Sequence, residues 1–118
     1  MIQNNILAEK STDFGVRIVR CYQFLTKEKK EYVLSKQIYR SGTSIGANVH
    51  EALYAQSKAD FASKLSIALK EASETAYWLT ILYRTFYISS ESFSSLKTDV
   101  EEIIRIIIAS LKITRRND

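Results

Sequence analysis

No proline occurs anywhere in the 118 residues, and glycine occurs only three times, at positions 15, 42 and 46. Proline and glycine punctuate a backbone most strongly, so a chain nearly free of them favours a few long helices joined by short polar connections. The apolar spacing agrees. Phe14, Ile18, Cys21, Tyr22 and Leu25 share one face of a helix expected over residues 11–27, with Ser11 placed to cap its start. Leu34, Ile38, Ser41, Ile45, Asn48, Val49 and Ala52 form the seam of a second, over 32–55. Ser57 with Asp60 three positions on resembles a capping box, and Phe61, Leu65, Ala68, Ala72, Thr75, Leu79, Leu82 and Phe86 follow along a third helix over 58–87. Ser89 or Ser90 can cap a fourth, over 90–114, carrying Leu96, Val100, Ile103, Ile107 and Leu111. Four such helices with short links must turn back on one another. The expected fold is all-α, an antiparallel up-down-up-down four-helix bundle, with residues 1–118 as a single domain.

Within the second helix, RSGTSIGANVHEA (40–52) is rich in residues that an isolated helix avoids. A glycine costs up to about 1 kcal/mol against alanine in a helix, whereas burying a Leu or Ile side chain gains about 1.5–3 kcal/mol. Ile38, Ile45 and Val49 can therefore hold the segment helical. Gly42 and Gly46, four apart, would let a neighbouring helix approach closely. Arg40, Ser44, Asn48 and Glu51, beside the seam, need hydrogen-bond partners, and Glu71 or Glu74 of the third helix could supply them. These six form an expected structural polar network.

The fourth helix carries more isoleucine than a core-facing stripe requires. Ile104, Ile106, Ile108 and Ile113 spread beyond the seam, and Ile67, Trp78 and Ile81 form a second strip on the third helix. Monomers seldom leave contiguous apolar surface in water, so these seven residues are the candidate interface of a homo-oligomer.

Catalytic constellations are scarce. His50-Glu51 matches the first half of HExxH, but position 54 is tyrosine and His50 is the sole histidine, so that zinc ligand set cannot be completed. Cys21 falls on a helical seam, where a thiol is a small core hydrophobe, and it has no intramolecular disulfide partner. The expectation is no enzyme, no catalytic residue, no metal and no cofactor. Neither a signal peptide nor a membrane-spanning run is evident, which points to a cytoplasmic protein without a membrane partner.

The formal net charge is +4, from 17 basic and 13 acidic residues. Residues 1–50 hold 8 basic and 4 acidic residues and 51–118 hold 9 of each, so the excess lies in the first half. There Arg17, Arg20 and Lys27 recur at helical spacing outside the seam, and Lys29, Lys30, Lys36 and Arg40 continue the charge. Such cations can neutralise phosphates and release counterions, with Phe24 available to stack on an unpaired base. These seven are the candidate nucleic-acid-binding residues; Lys112, Arg115 and Arg116 could add to them. A charge run of this kind is also commonly just a solvated helix face.

The sequence from about residue 5 to 112 resembles the bacterial four-helix-bundle proteins encoded within 23S rRNA intervening sequences. The resemblance rests on an Arg-Ser-(small)-x-Ser-Ile-x-x-Asn-(apolar)-x-Glu-(small) run at 40–52, Ser-Lys-x-(Asp/Glu)-Phe at 57–61 and Leu-Ser-Ile-Ala at 65–68. It implies the four-helix bundle again. It further implies kinship with the accessory variability determinant of diversity-generating retroelements, a homopentameric barrel whose basic surface binds nucleic acid and a partner reverse transcriptase. The joint expectation is a non-enzymatic homo-oligomer, pentamer favoured, that binds rRNA or another nucleic acid. The alternative is an adaptor or scaffold that binds a protein partner.

Overall fold

The structure, a computed structural model, describes residues 2–116, with side chains from residue 5 onward. Its four helices are α1 (Ile2–Lys27), α2 (Leu34–Leu53), α3 (Lys58–Arg84) and α4 (Ser90–Arg116). Each packs on its neighbours in the chain and α1 closes the ring against α4, while among the described residues the backbones of diagonal helices stay more than 8 Å apart between Cα atoms. This is the up-down-up-down bundle, all-α throughout the described residues, with overall extents of 48 × 21 × 19 Å.

All four helices contribute to one core. Phe14 and Ile18 of α1, Ile38 and Ile45 of α2, Leu65 and Leu79 of α3, and Ile103 and Ile107 of α4 are fully buried within it. Each burial of this kind stabilises by about 1.5–3 kcal/mol, enough to override the weak intrinsic helix preference of the 40–52 segment. The two glycines of that segment face α1. A Cβ on Gly42 would stand 2.7 Å from Ile18 Cγ1, and one on Gly46 would stand 3.3 Å from the Ser11 carbonyl oxygen. Their bare backbone is what lets α1 lie so close to α2. On its other side α2 meets α3 through a buried polar pair, Thr75 Oγ1 lying 2.9 Å from Ser41 Oγ and 2.8 Å from the Glu71 carbonyl.

The helix limits depart from the sequence expectation in instructive ways. α1 starts well before Ser11, because Leu7 adds another turn to the same buried face. Ser11 is therefore a buried residue inside the helix and not its cap; its hydroxyl donates to the Ala8 carbonyl at 3.1 Å. α2 begins at Leu34, where the Glu31 carboxylate accepts from the backbone N–H groups of Val33, Leu34 and Ser35 at 3.1, 3.0 and 2.7 Å. Burial alone would push the Glu31 carboxyl up, but these donors hold it below its usual range. Ser57 caps α3, accepting from Asp60 N at 3.0 Å, while the Asp60 carboxylate accepts from Gln56 N, one residue earlier than a strict capping box. Ser89, one residue ahead of α4, accepts from Ser92 N at 3.1 Å.

α3 stops at Arg84, short of Phe86. The N–H groups of Phe86 and Tyr87 donate to the Tyr83 and Leu82 carbonyls at 3.0 and 2.9 Å, the paired bonds of a Schellman ending. That ending places Phe86 at φ 68°, in the left-handed region, and leaves it 88 % exposed. The period that carries Leu79 and Leu82 inward thus fails at Phe86, and Ile88 turns back into the core instead.

Candidate nucleic-acid interface

The basic residues of the first half gather at one end of the bundle because α1 ends, turns and re-enters α2 within a few residues. α1 finishes at Lys27, the Glu31 N–H donates back to the Leu25 carbonyl at 2.9 Å, and Lys30 takes a left-handed φ of 55°. Arg20, Lys27, Lys29, Lys30 and Lys36 are all exposed there, and no carboxylate lies within ion-pair distance of any of them among the described residues. Lys29 Nζ stands 5.8 Å from the centroid of the Phe24 ring. Phe24 is itself exposed, beside these charges.

Two of the seven expected cations are engaged elsewhere. Arg17 donates to Asp99 at 2.6 Å and to Ser95 at 2.9 Å, tying α1 to α4. Arg40 donates to Glu71 at 3.1 Å and also to Glu74. These acids lie 82, 31 and 34 residues away along the chain, so only antiparallel packing brings them into reach. A second α1–α4 pair, Lys10 with Glu102 at 2.6 Å, raises the Lys10 ammonium above its ordinary value and holds the Glu102 carboxyl below its own, chiefly through their hydrogen bond.

The expected polar network divides in a similar way. Glu74 also accepts from the Trp78 indole N–H at 3.0 Å, so Arg40, Glu71, Glu74 and Trp78 form one cluster across α2 and α3. Ser44 and Asn48 instead donate to carbonyls one turn back, those of Arg40 and Ser44, at 2.6 and 2.9 Å. Glu51 lies 3.4 Å from Lys64 of α3. His50 Nδ1 lies 2.8 Å from the Gly46 carbonyl, and no group of three or more His, Cys, Asp or Glu that could hold a metal occurs among the described residues.

Of the seven outer apolar residues, Trp78, Ile104 and Ile106 pack partly against the chain's own core, a contact the helical wheel assigns to the outside. Ile81 is half-buried, and Ile67, Ile108 and Ile113 are exposed. Long side chains near the rim of a narrow stripe can lean inward, which is why the wheel overstates the surplus.

Spacing within single helices gives no sign of a cleft of about 940 Å³ where α1 parts from the α3–α4 turn. Cys21, Ile88 and Leu96 lie among its lining residues, with the rings of Phe24, Tyr83 and Phe86 and the cations Arg20 and Lys29. Burial pushes the Cys21 thiol up to about 11, against the opposing effect of the Arg17 charge. No carboxylate lines this cleft. Tyr83 is held flat against Phe93 of α4, ring centroids 4.5 Å apart. Aromatic residues falling outside a helical period could have hinted at it, but three elements distant in sequence have to meet before it exists.

The fold and the sequence have a solved counterpart. A crystal structure of a protein with unknown function from the S23 ribosomal protein family of Bacteroides thetaiotaomicron VPI-5482 superposes with a TM-score of 0.92 at 55% sequence identity, covering 93% of this chain and 98% of that one. Comparison with curated proteins gives no match. No helix of the described residues is long and apolar enough to cross a membrane. The family model of the 23S rRNA-intervening sequence proteins matches residues 3–109, nearly the full length of the bundle, and the chain belongs to that family.

Proposed function

We propose that this protein is a non-enzymatic, homo-oligomeric bundle that binds RNA or another nucleic acid, acting in the cytoplasm. The observation that carries the reading is the set of five exposed cations without acidic partners, Arg20, Lys27, Lys29, Lys30 and Lys36, at one end of the molecule. Lysine and arginine that are not already paired can exchange their counterions for phosphates, whereas Arg17 and Arg40 would first have to give up carboxylates. Their charge per chain is modest, and assembly would multiply it. The exposed Ile67, Ile108 and Ile113 support such assembly, and kinship with the accessory variability determinant, also part of this proposal, favours a pentamer.

The test is a binding titration with structured rRNA fragments at several salt concentrations, on the native protein and on a Lys29→Glu, Lys30→Glu, Lys36→Glu variant. Binding should weaken linearly in log–log form with salt, and the slope should shrink by about 0.9 for each duplex phosphate contact removed. No binding at low salt, or binding indifferent to salt, sinks the reading. The second reading, an adaptor for a protein partner, draws on the same exposed isoleucines. It is favoured if a stable protein partner is retained by the charge-reversed variant.

A further inference from the structure

The Schellman ending of α3 calls for a left-handed residue, yet it is filled by phenylalanine, Phe86, whose ring contributes nothing to the core. The ring is 88 % exposed, and the residue's φ of 68° is a conformation that glycine adopts freely and a bulky residue resists. The residue lines the 940 Å³ cleft, as do the rings of Phe24 and Tyr83. The cleft is within the size range of small-ligand sites, and Arg20 and Lys29 give it positive charge with no lining carboxylate to offset them. Its occupant should therefore be anionic and carry a flat apolar body.

We propose that the cleft receives one unpaired base of a single-stranded nucleic acid, stacked on Phe86 and Phe24, with the adjoining phosphates on Arg20 and Lys29. The inference rests on the nucleic-acid reading above and specifies what that surface recognises. A base inside a duplex has both faces covered by its neighbours, whereas an unpaired base offers a face to every aromatic ring it meets. Lys27 at the end of α1, Lys30 in the α1–α2 connection and Lys36 in the first turn of α2 are exposed as well, and the rest of the strand could run over them.

Phe86→Gly is a clean probe because glycine suits the left-handed position and no buried contact is lost; thermal melting of the variant checks that it folds. Native protein and variant would be titrated with a fluorescein-labelled single-stranded RNA 12-mer and with the same sequence as a blunt duplex, at low and moderate salt, and the mass of the native particle would be measured for both. The native protein should prefer the single strand, and the variant should lose about five- to a hundred-fold in single-strand affinity, with duplex affinity and salt slope unchanged. Salt-dependent binding that Phe86→Gly leaves intact overturns the cleft assignment while the basic-surface reading stands. A variant that changes particle mass but not RNA affinity overturns it too, and assigns the cleft to contact between copies. Failure of either RNA to bind the native protein at low salt overturns both readings.

Discussion

Gly42 and Gly15 are both helical glycines, yet their surroundings demand opposite outcomes from the same substitution. A methyl group at Gly42 would meet Ile18 Cγ1 and Cγ2 at 2.7 and 2.8 Å, and Ile18 is β-branched and fully buried, so it cannot swing aside. Gly42→Ala is expected to destabilise by about 1–2 kcal/mol, the overpacking penalty less the gain in helix preference. Gly15 has no atom within 4 Å of its notional Cβ, so Gly15→Ala should stabilise by about 0.5–1 kcal/mol. Urea unfolding of the two variants side by side checks both signs, and a shift in the same direction for both would refute the close approach of α1 and α2. Cys21 offers a second check. With its thiol pushed up to about 11 by burial, it should react with a disulfide reagent at pH 8 at least about tenfold more slowly in the native protein than in urea, the scarcer thiolate being partly offset by its greater nucleophilicity. Equal rates in the two states would mean that the seam around it is open.

Each helix needs its first N–H groups satisfied, and the four helices differ in how plainly that shows. Ser57 and Ser89 are legible because a short hydroxyl side chain just ahead of an apolar period is a local signal. Glu31 is not, because it stands outside α2 in a stretch of alternating charges and reaches the N–H groups only once Lys30 has reversed the chain. Glu31→Gln is expected to lower stability by about 1 kcal/mol at neutral pH. The carboxyl is held below its usual value in the folded state, so its contribution is complete above the ordinary glutamate value of about 4.3 and fades as pH falls from there through the lower folded value. The gap between native protein and variant should accordingly narrow in urea titrations taken from pH 7 through pH 3. A gap that stays constant would remove the carboxylate charge from the account. Phe86 defeats the same kind of reading at the other end of a helix, since its spacing from Leu82 continues the buried period while the backbone has already turned into the left-handed region.

Closing the four helices into a ring decides which surface remains available. Trp78, Ile104 and Ile106 are drawn partly into the chain's own core, leaving Ile67, Ile108 and Ile113 as the exposed apolar positions of the candidate interface. If the chain assembles as proposed, the native particle should exceed one chain of 13.5 kDa, and a double substitution Ile108→Asp, Ile113→Asp should reduce it to that mass with the helical circular-dichroism signal intact. An unchanged larger particle would place the interface elsewhere. The near absence of proline and glycine, together with an apolar period repeated along four segments, was enough to specify four long helices and their order around the core, because these are local properties of a chain whose short links permit little else. Glu71 and Glu74 were legible as partners for Arg40, but the pairing of Arg17 with Asp99, the exposure of Phe86 and the cleft that it lines came only with tertiary packing. Ion pairs and cavities depend on distances in space between groups that are tens of residues apart, and no spacing within a single helix records those distances.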